Sequence, residues 1–284
     1  MQEVVFDILH EQAFADSPLS MTILGPVENI NSISRPDLVE YIQTHYRGPR
    51  MVVAAAGGVD HLHLTEIVGK YFGHVSAEVP PSYMAPSYFK GGQVFLNDDR
   101  MDYVYGALCV EGASWANPHN IAMMIANSLI GQYDRSQGSG IVAPSRLALK
   151  MDSDVNCQSF QAFNTCYKDT GLWGVYFVCK DDSAAKIVQL IQDEWKYFCE
   201  NITDADVERG KRVLRSNLLL LLDGTTPVCE DIGRQLLCYG RRIPVNEMDA
   251  RISAINADVI KGILRKYLYQ KPLSLAAVGK STSV

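Results

Sequence analysis

Few side chains in this sequence are spaced for chemistry, and the clearest pair comes first. Glu3 and Asp7 stand four residues apart in the stretch Glu3 to Phe14, where Val4, Ile8 and Leu9 recur with helical spacing, so both carboxylates share one helix face. Like charges at that spacing repel by a few tenths of a kcal/mol on an isolated helix. Such a pair is either a solvated face, which spacing alone favours, or a grip on a cation. A guanidinium held between two carboxylates is the strongest organic candidate. His61, His63 and Glu66 form a second group. On a helix the two histidines lie about 200° apart, and an inverted zinc motif would need histidine where Ile67 stands, so all three read as solvent-facing.

The remaining groups are weaker. The run GQYDRSQGSG lacks the Gly-Lys-Ser/Thr ending of a phosphate cradle and reads as a mobile surface loop. Seven cysteines, an odd number without a C-x-x-C pair, read as buried thiols in a reducing compartment rather than as disulfides or zinc ligands. Phe160, Phe163, Tyr167, Trp173, Tyr176 and Phe177 read either as core or as a sheet edge that pairs with an extended peptide. There is no Ser-His-Asp order and no His-Glu-x-x-His motif.

The elements that must position these residues come in two related sets. Ile33 to Gly57 and Ile255 to Gly279 each open on an N-cap residue (Ser34, Asn256) with an Asp in the first turn (Asp37, Asp258). Each continues through a helical apolar stripe and a Pro to an apolar strand with an Ala-Ala pair closed by Gly; in the first copy the strand is Met51 to Ala56. Upstream, Phe6-Asp7-Ile8 faces Glu230-Asp231-Ile232. The offset implies a duplicated domain of roughly 220 residues, the first copy incomplete. The Pro-rich stretch after Tyr71 and Asp60's helix is the linker, which divides the chain into a first domain at 1–75, a linker at 76–92 and a second domain at 93–284.

Between them, Tyr103 to Val110 reads as a strand and Asn120 to Ile130 as a buried helix. Two β-rich runs around Lys168-Asp169-Thr170-Gly171 form a hairpin, and Ala184 to Glu200 and Asp204 to Leu222 are amphipathic helices. Hairpins and consecutive helices together make the fold class α+β, each domain a mainly antiparallel sheet packed by helices. With 47% hydrophobic and 20% charged residues the composition is that of a globular protein. A net charge of −6 disfavours nucleic acid and suits basic partners. The flank left by the incomplete domain should expose apolar surface.

Four stretches carry a family resemblance: QEVVFDILHE, TILGPVENINSISRPDLVEYIQTHYRGPRMVVAAAGGV, SFQAFNTCYKDTGLWGVYFVC and LDGTTPVCEDIGRQLLCYGRRIP. The sequence resembles the β-subunit family of the mitochondrial processing peptidases, pitrilysin-type zinc metallopeptidases that remove basic presequences from imported precursors. Some members of that family serve instead, or also, as core proteins of respiratory complex III. The resemblance implies two related α+β domains, and a zinc held by an inverted His-x-x-Glu-His helix with a distal Glu. Neither has a counterpart here, the distal Glu falling shortly before Met1, so no catalytic or metal residue and no cofactor is expected in this chain. The full-length family protein binds zinc; whether this chain is an enzyme is left open. What carries over is Glu3 and Asp7, which match the acidic pair that grips the presequence arginine. The implied partners are the processing peptidase α subunit, basic presequence peptides and complex III subunits, and the implied location is the mitochondrial matrix or the matrix face of the inner membrane. The sequence ends at GKSTSV, where family members continue somewhat further.

Overall fold

A computed structural model describes residues 1–78, 85–137 and 143–280. In chain order the helices are α1 (Gln2–Ala13), α2 (Val27–Ser32), α3 (Arg35–His45), α4 (His61–Phe72), α5 (Asn120–Ile130) and α6 (Arg146–Asp154). There follow α7 (Ala184–Glu200), α8 (Asp204–Leu221), α9 (Thr225–Tyr239), α10 (Val245–Ser253) and α11 (Ala257–Leu268). The strands are β1 (Gly92–Asn97), β2 (Val104–Glu111), β3 (Gln132–Asp134), β4 (Cys157–Cys166), β5 (Gly171–Cys179) and β6 (Ser274–Gly279).

These elements form two compact units that interleave along the chain. The larger comprises Met1–Ile23, Pro86–Arg215 and Met248–Val284. Its strands make one six-stranded sheet in the order β1-β6-β2-β5-β4-β3. Only the β1–β6 pair is parallel, so the sheet is mainly antiparallel, as expected. Residues 167–170 close the β4–β5 hairpin, Tyr167 N–H donating to Thr170 O at 2.8 Å.

Strand alternation sends one set of side chains to each sheet face. On one face Ala107, Cys109, Leu172, Tyr176, Ala276 and Val278 meet Val5, Leu9 and Ala13 of α1 and Phe14, which caps its C-terminus. Fully burying Leu9 and Phe14 contributes roughly 1.5–3 kcal/mol each, which holds α1 flat on the sheet. On the other face Trp173 reaches α5 and α7: its Nε1 donates to Met123 O at 3.2 Å, and its ring lies 5.5 Å from that of Trp195. The stripe Ile187, Leu190, Ile191, Trp195 and Phe198 of α7 is buried, as its periodicity predicts.

The smaller unit comprises Leu24–Ala85 and Ser216–Glu247. Its caps form as read: Asp37 accepts from the Ser34 N–H at 2.8 Å, and Asp60 accepts from the His63 N–H at 2.7 Å. The strand expected at Met51 to Ala56 does not form. Met51 is itself extended, but residues 51–56 have no ladder partner among the described residues, and a backbone becomes a strand only when a neighbour takes its N–H and C=O groups. Its apolar neighbours are correspondingly open to solvent, with Leu38, Tyr41 and Ile42 each more than half exposed.

Each unit packs segments far apart in the chain. In the larger, α1 lies on β6. In the smaller, α9 lies against residues 51–56: Cys229 Sγ donates to Ala54 O at 3.2 Å, and the backbone of Gly233 also approaches Ala54.

Candidate functional site

The acidic pair sits on the helix that the sheet holds most firmly. Val5 and Leu9 bury one side of α1, leaving Glu3 exposed and Asp7 half-buried on another. Among the described residues neither carboxylate has a hydrogen-bond or ion-pair partner, so both keep their acceptor oxygens for a ligand. His10, one turn beyond Asp7, is not such a partner. Its Nδ1 lies 2.6 Å from Phe6 O, a group that only accepts, so Nδ1 carries a proton. In the neutral ring Nε2 then accepts from the Tyr167 hydroxyl at 2.5 Å. Burial pushes the Tyr167 phenol above its ordinary range, which keeps it a donor.

The first turn of α1 is braced from below. Phe6 packs edge-on against Phe163 at 4.9 Å and stacks on Tyr176 at 6.0 Å, so the aromatic hairpin supports the helix that carries Glu3 and Asp7. Phe160, Trp173, Tyr176 and Phe177 are buried, the core reading of that hairpin. β3 pairs with Ser159, Phe160 and Gln161, so the first half of β4 is not a free edge. The start of the GQYDRSQGSG run is therefore strand and a short 3₁₀ turn rather than loop, because Gly131 O accepts from Ala162 N–H and registers the chain against β4. Residues 138–142 lie outside the described residues.

Beside α1 the same sheet face opens into a groove of about 570 Å³. Gln2, Gln132, Asp134, Ser159, Gln161 and Tyr176 line it. Of these, Gln132 and Asp134 escaped the sequence pattern because β3 is only three residues long, too short for an alternation signal.

Among the described residues no side chains are grouped to hold a zinc ion. His61, His63 and Glu66 are exposed on α4, with His63 3.9 Å from Glu66, and among the described residues no three His, Cys, Asp or Glu side chains converge. No hydrolytic step is assigned to these side chains.

Residues 32–214 match the family model described as the peptidase M16 inactive domain. The chain belongs to the peptidase M16 family. Among its M16 relatives are the mitochondrial-processing peptidase subunit beta of Bos taurus, 49% identical over 98% of this chain and 57% of that protein, and the Homo sapiens counterpart, 48% identical over 98% and 58%. Cytochrome b-c1 complex subunit 1, mitochondrial, of Homo sapiens is 43% identical over 98% of this chain and 59% of its own length. The chain thus spans somewhat under two thirds of the curated M16 relatives it matches, and those relatives are mitochondrial proteins by name. A chain of complex III2 from Candida albicans, Inz-5 bound, superposes with a TM-score of 0.89 at 22% identity, covering 97% of this chain and 66% of that one, which establishes the fold.

Proposed function

We propose that this M16 chain is the C-terminal portion of a mitochondrial processing peptidase β subunit that handles the basic presequences of imported precursors, Glu3 and Asp7 holding a presequence arginine. The observation that carries the reading is the acidic pair, solvent-accessible and without an ionic partner among the described residues, on a helix fixed to the sheet by Val5, Leu9 and Phe14. The identity of 49% over 98% of the chain to a processing peptidase β subunit supports it. On this reading the chain divides into a first domain at 1–75, a linker at 76–92 and a second domain at 93–284. It pairs with an α subunit in the mitochondrial matrix or at the matrix face of the inner membrane, and zinc is bound outside this chain.

The test is binding of a fluorescent basic peptide, compared with the same peptide carrying glycine for the proximal arginine. Wild-type chain should prefer arginine about tenfold, the factor for roughly 1.4 kcal/mol from a charge-assisted contact. The Glu3→Gln/Asp7→Asn variant should lose that preference. An unchanged preference in the variant removes the acidic pair from the site.

A second reading is a non-catalytic core subunit of respiratory complex III, supported by the 43% identity to cytochrome b-c1 complex subunit 1. Affinity purification of the native protein from detergent-solubilised mitochondria separates the two. Recovery with cytochrome b-c1 subunits selects the core reading, and recovery with a soluble α-type partner selects the peptidase.

A further inference from the structure

The groove beside α1 has a polarity that the acidic pair does not explain. β3, β4 and β5 run side by side there, and their register sets Gln132 opposite Gln161, and Gln161 opposite Tyr176. One step along, Asp134 faces Ser159. Alternation therefore turns a row of amide, hydroxyl and carboxylate groups to the face that α1 leaves open at Gln2, the residue next to Glu3. Among the described lining residues Asp134 is the one ionised group, and it is exposed.

Its two oxygens have separate duties. Oδ1 accepts from Ser136 N–H at 2.9 Å and from the Ser136 hydroxyl at 2.7 Å, which orients the carboxylate. Oδ2 has no partner among the described residues. The Ser136 bonds hold the Asp134 carboxyl below its ordinary range, so it stays charged. A negative group with one oriented, unoccupied oxygen, surrounded by neutral donors and acceptors, suits a cationic side chain whose backbone amides bond the glutamines.

We propose that this groove is a second basic-residue subsite, in which Asp134 Oδ2 accepts from a lysine or arginine of the same extended peptide whose proximal arginine lies between Glu3 and Asp7. The inference rests on the peptide-binding reading of α1. It differs in placing a separate contact on β3.

The test uses the full chain and two labelled peptides, one with two basic residues and one with the distal residue replaced by glycine. Asp134→Asn is the variant of choice, because its side-chain oxygen still accepts from Ser136 and only the charge is lost. Asp134→Asn should weaken the two-charge peptide about fivefold, the factor for roughly 1 kcal/mol at an exposed ion pair, and leave the one-charge peptide unchanged. Raising salt should shrink that difference. Equal weakening of both peptides, no weakening of either, or no binding of the two-charge peptide to wild type each overturns the subsite. The arms are separable. If Glu3→Gln/Asp7→Asn leaves both peptides unaffected while Asp134→Asn acts selectively, the α1 reading fails and the groove stands; the reverse pattern removes the groove alone.

Discussion

The ion pair of Arg146 with Glu194 offers the sharpest check on how the larger unit is held together. Glu194 is 2% exposed on α7, in a helix face otherwise filled by Ile187, Ile191 and Trp195. Its carboxylate takes Arg146 Nε at 3.0 Å and Nη2 at 3.0 Å, a two-pronged contact from α6. The guanidinium also lies 3.5 Å from the centroid of the Tyr197 ring, which adds a cation–π term. Arg146→Ala strands a desolvated carboxylate, for which the cost is about 3–5 kcal/mol. Because the Arg146 side chain is 40% exposed, water can partly replace it, and the lower end, about 3 kcal/mol, is expected. Arg146→Lys keeps the charge but loses the fork, so it should cost about half as much. The Arg146→Met/Glu194→Leu double variant removes both charges and should recover most of the loss, since an apolar pair needs no desolvated partner. Urea denaturation of the four proteins measures this, and a drop in Tm of roughly 6–12 °C for Arg146→Ala is its thermal equivalent. If Arg146→Ala melts within 1 °C of wild type, or the double variant is no better than the single, the pair does not hold α6 to α7 as argued.

Three further outcomes follow from the same packing. Burial pushes the Cys157 and Cys179 thiols up to about 12, while Cys229 and Cys238 are only half-buried. N-ethylmaleimide at pH 7.5 should therefore label those last two first, and labelling of Cys157 or Cys179 in folded protein at an equal rate, read by peptide mass spectrometry, would contradict the core assignment. Burial, then Lys266, holds the His119 imidazole below its ordinary value, so the folded state binds fewer protons than the unfolded one. Its contribution is fully present above about pH 6.5 and lost as pH falls through the lowered folded value. The gap in urea midpoint between wild type and His119→Gln should accordingly change between pH 7.5 and pH 5, and a pH-independent gap refutes it. A Cβ at Gly174 would meet Leu108 O at 2.1 Å, and a backbone carbonyl within the ladder cannot withdraw, so Gly174→Ala should destabilise by more than 1 kcal/mol and express poorly. Wild-type-like melting would show that β5 and β2 can separate.

Much of the site's frame was legible because it is local. The Asp60 and Asn256 caps, the α7 stripe and the β4–β5 hairpin are written in residues a few positions apart, and each forms where the pattern places it. Spacing put Glu3 and Asp7 on one face of α1 for the same reason. Pairing was not legible, as Met51 to Ala56 shows: its composition matches β6, but β6 is flanked by β1 and β2 while the earlier segment meets α9 instead.

By itself, then, the sequence determined the helices, their caps, the hairpin and the family, all of which depend on neighbours along the chain or on residue identity. Only the tertiary structure decided that α1 lies on β6, that Asp134 faces the groove beside Gln2, and that Arg146 neutralises Glu194 across 48 residues. Long-range partners are chosen by which surfaces exclude water together, and that choice is made by the folded chain as a whole.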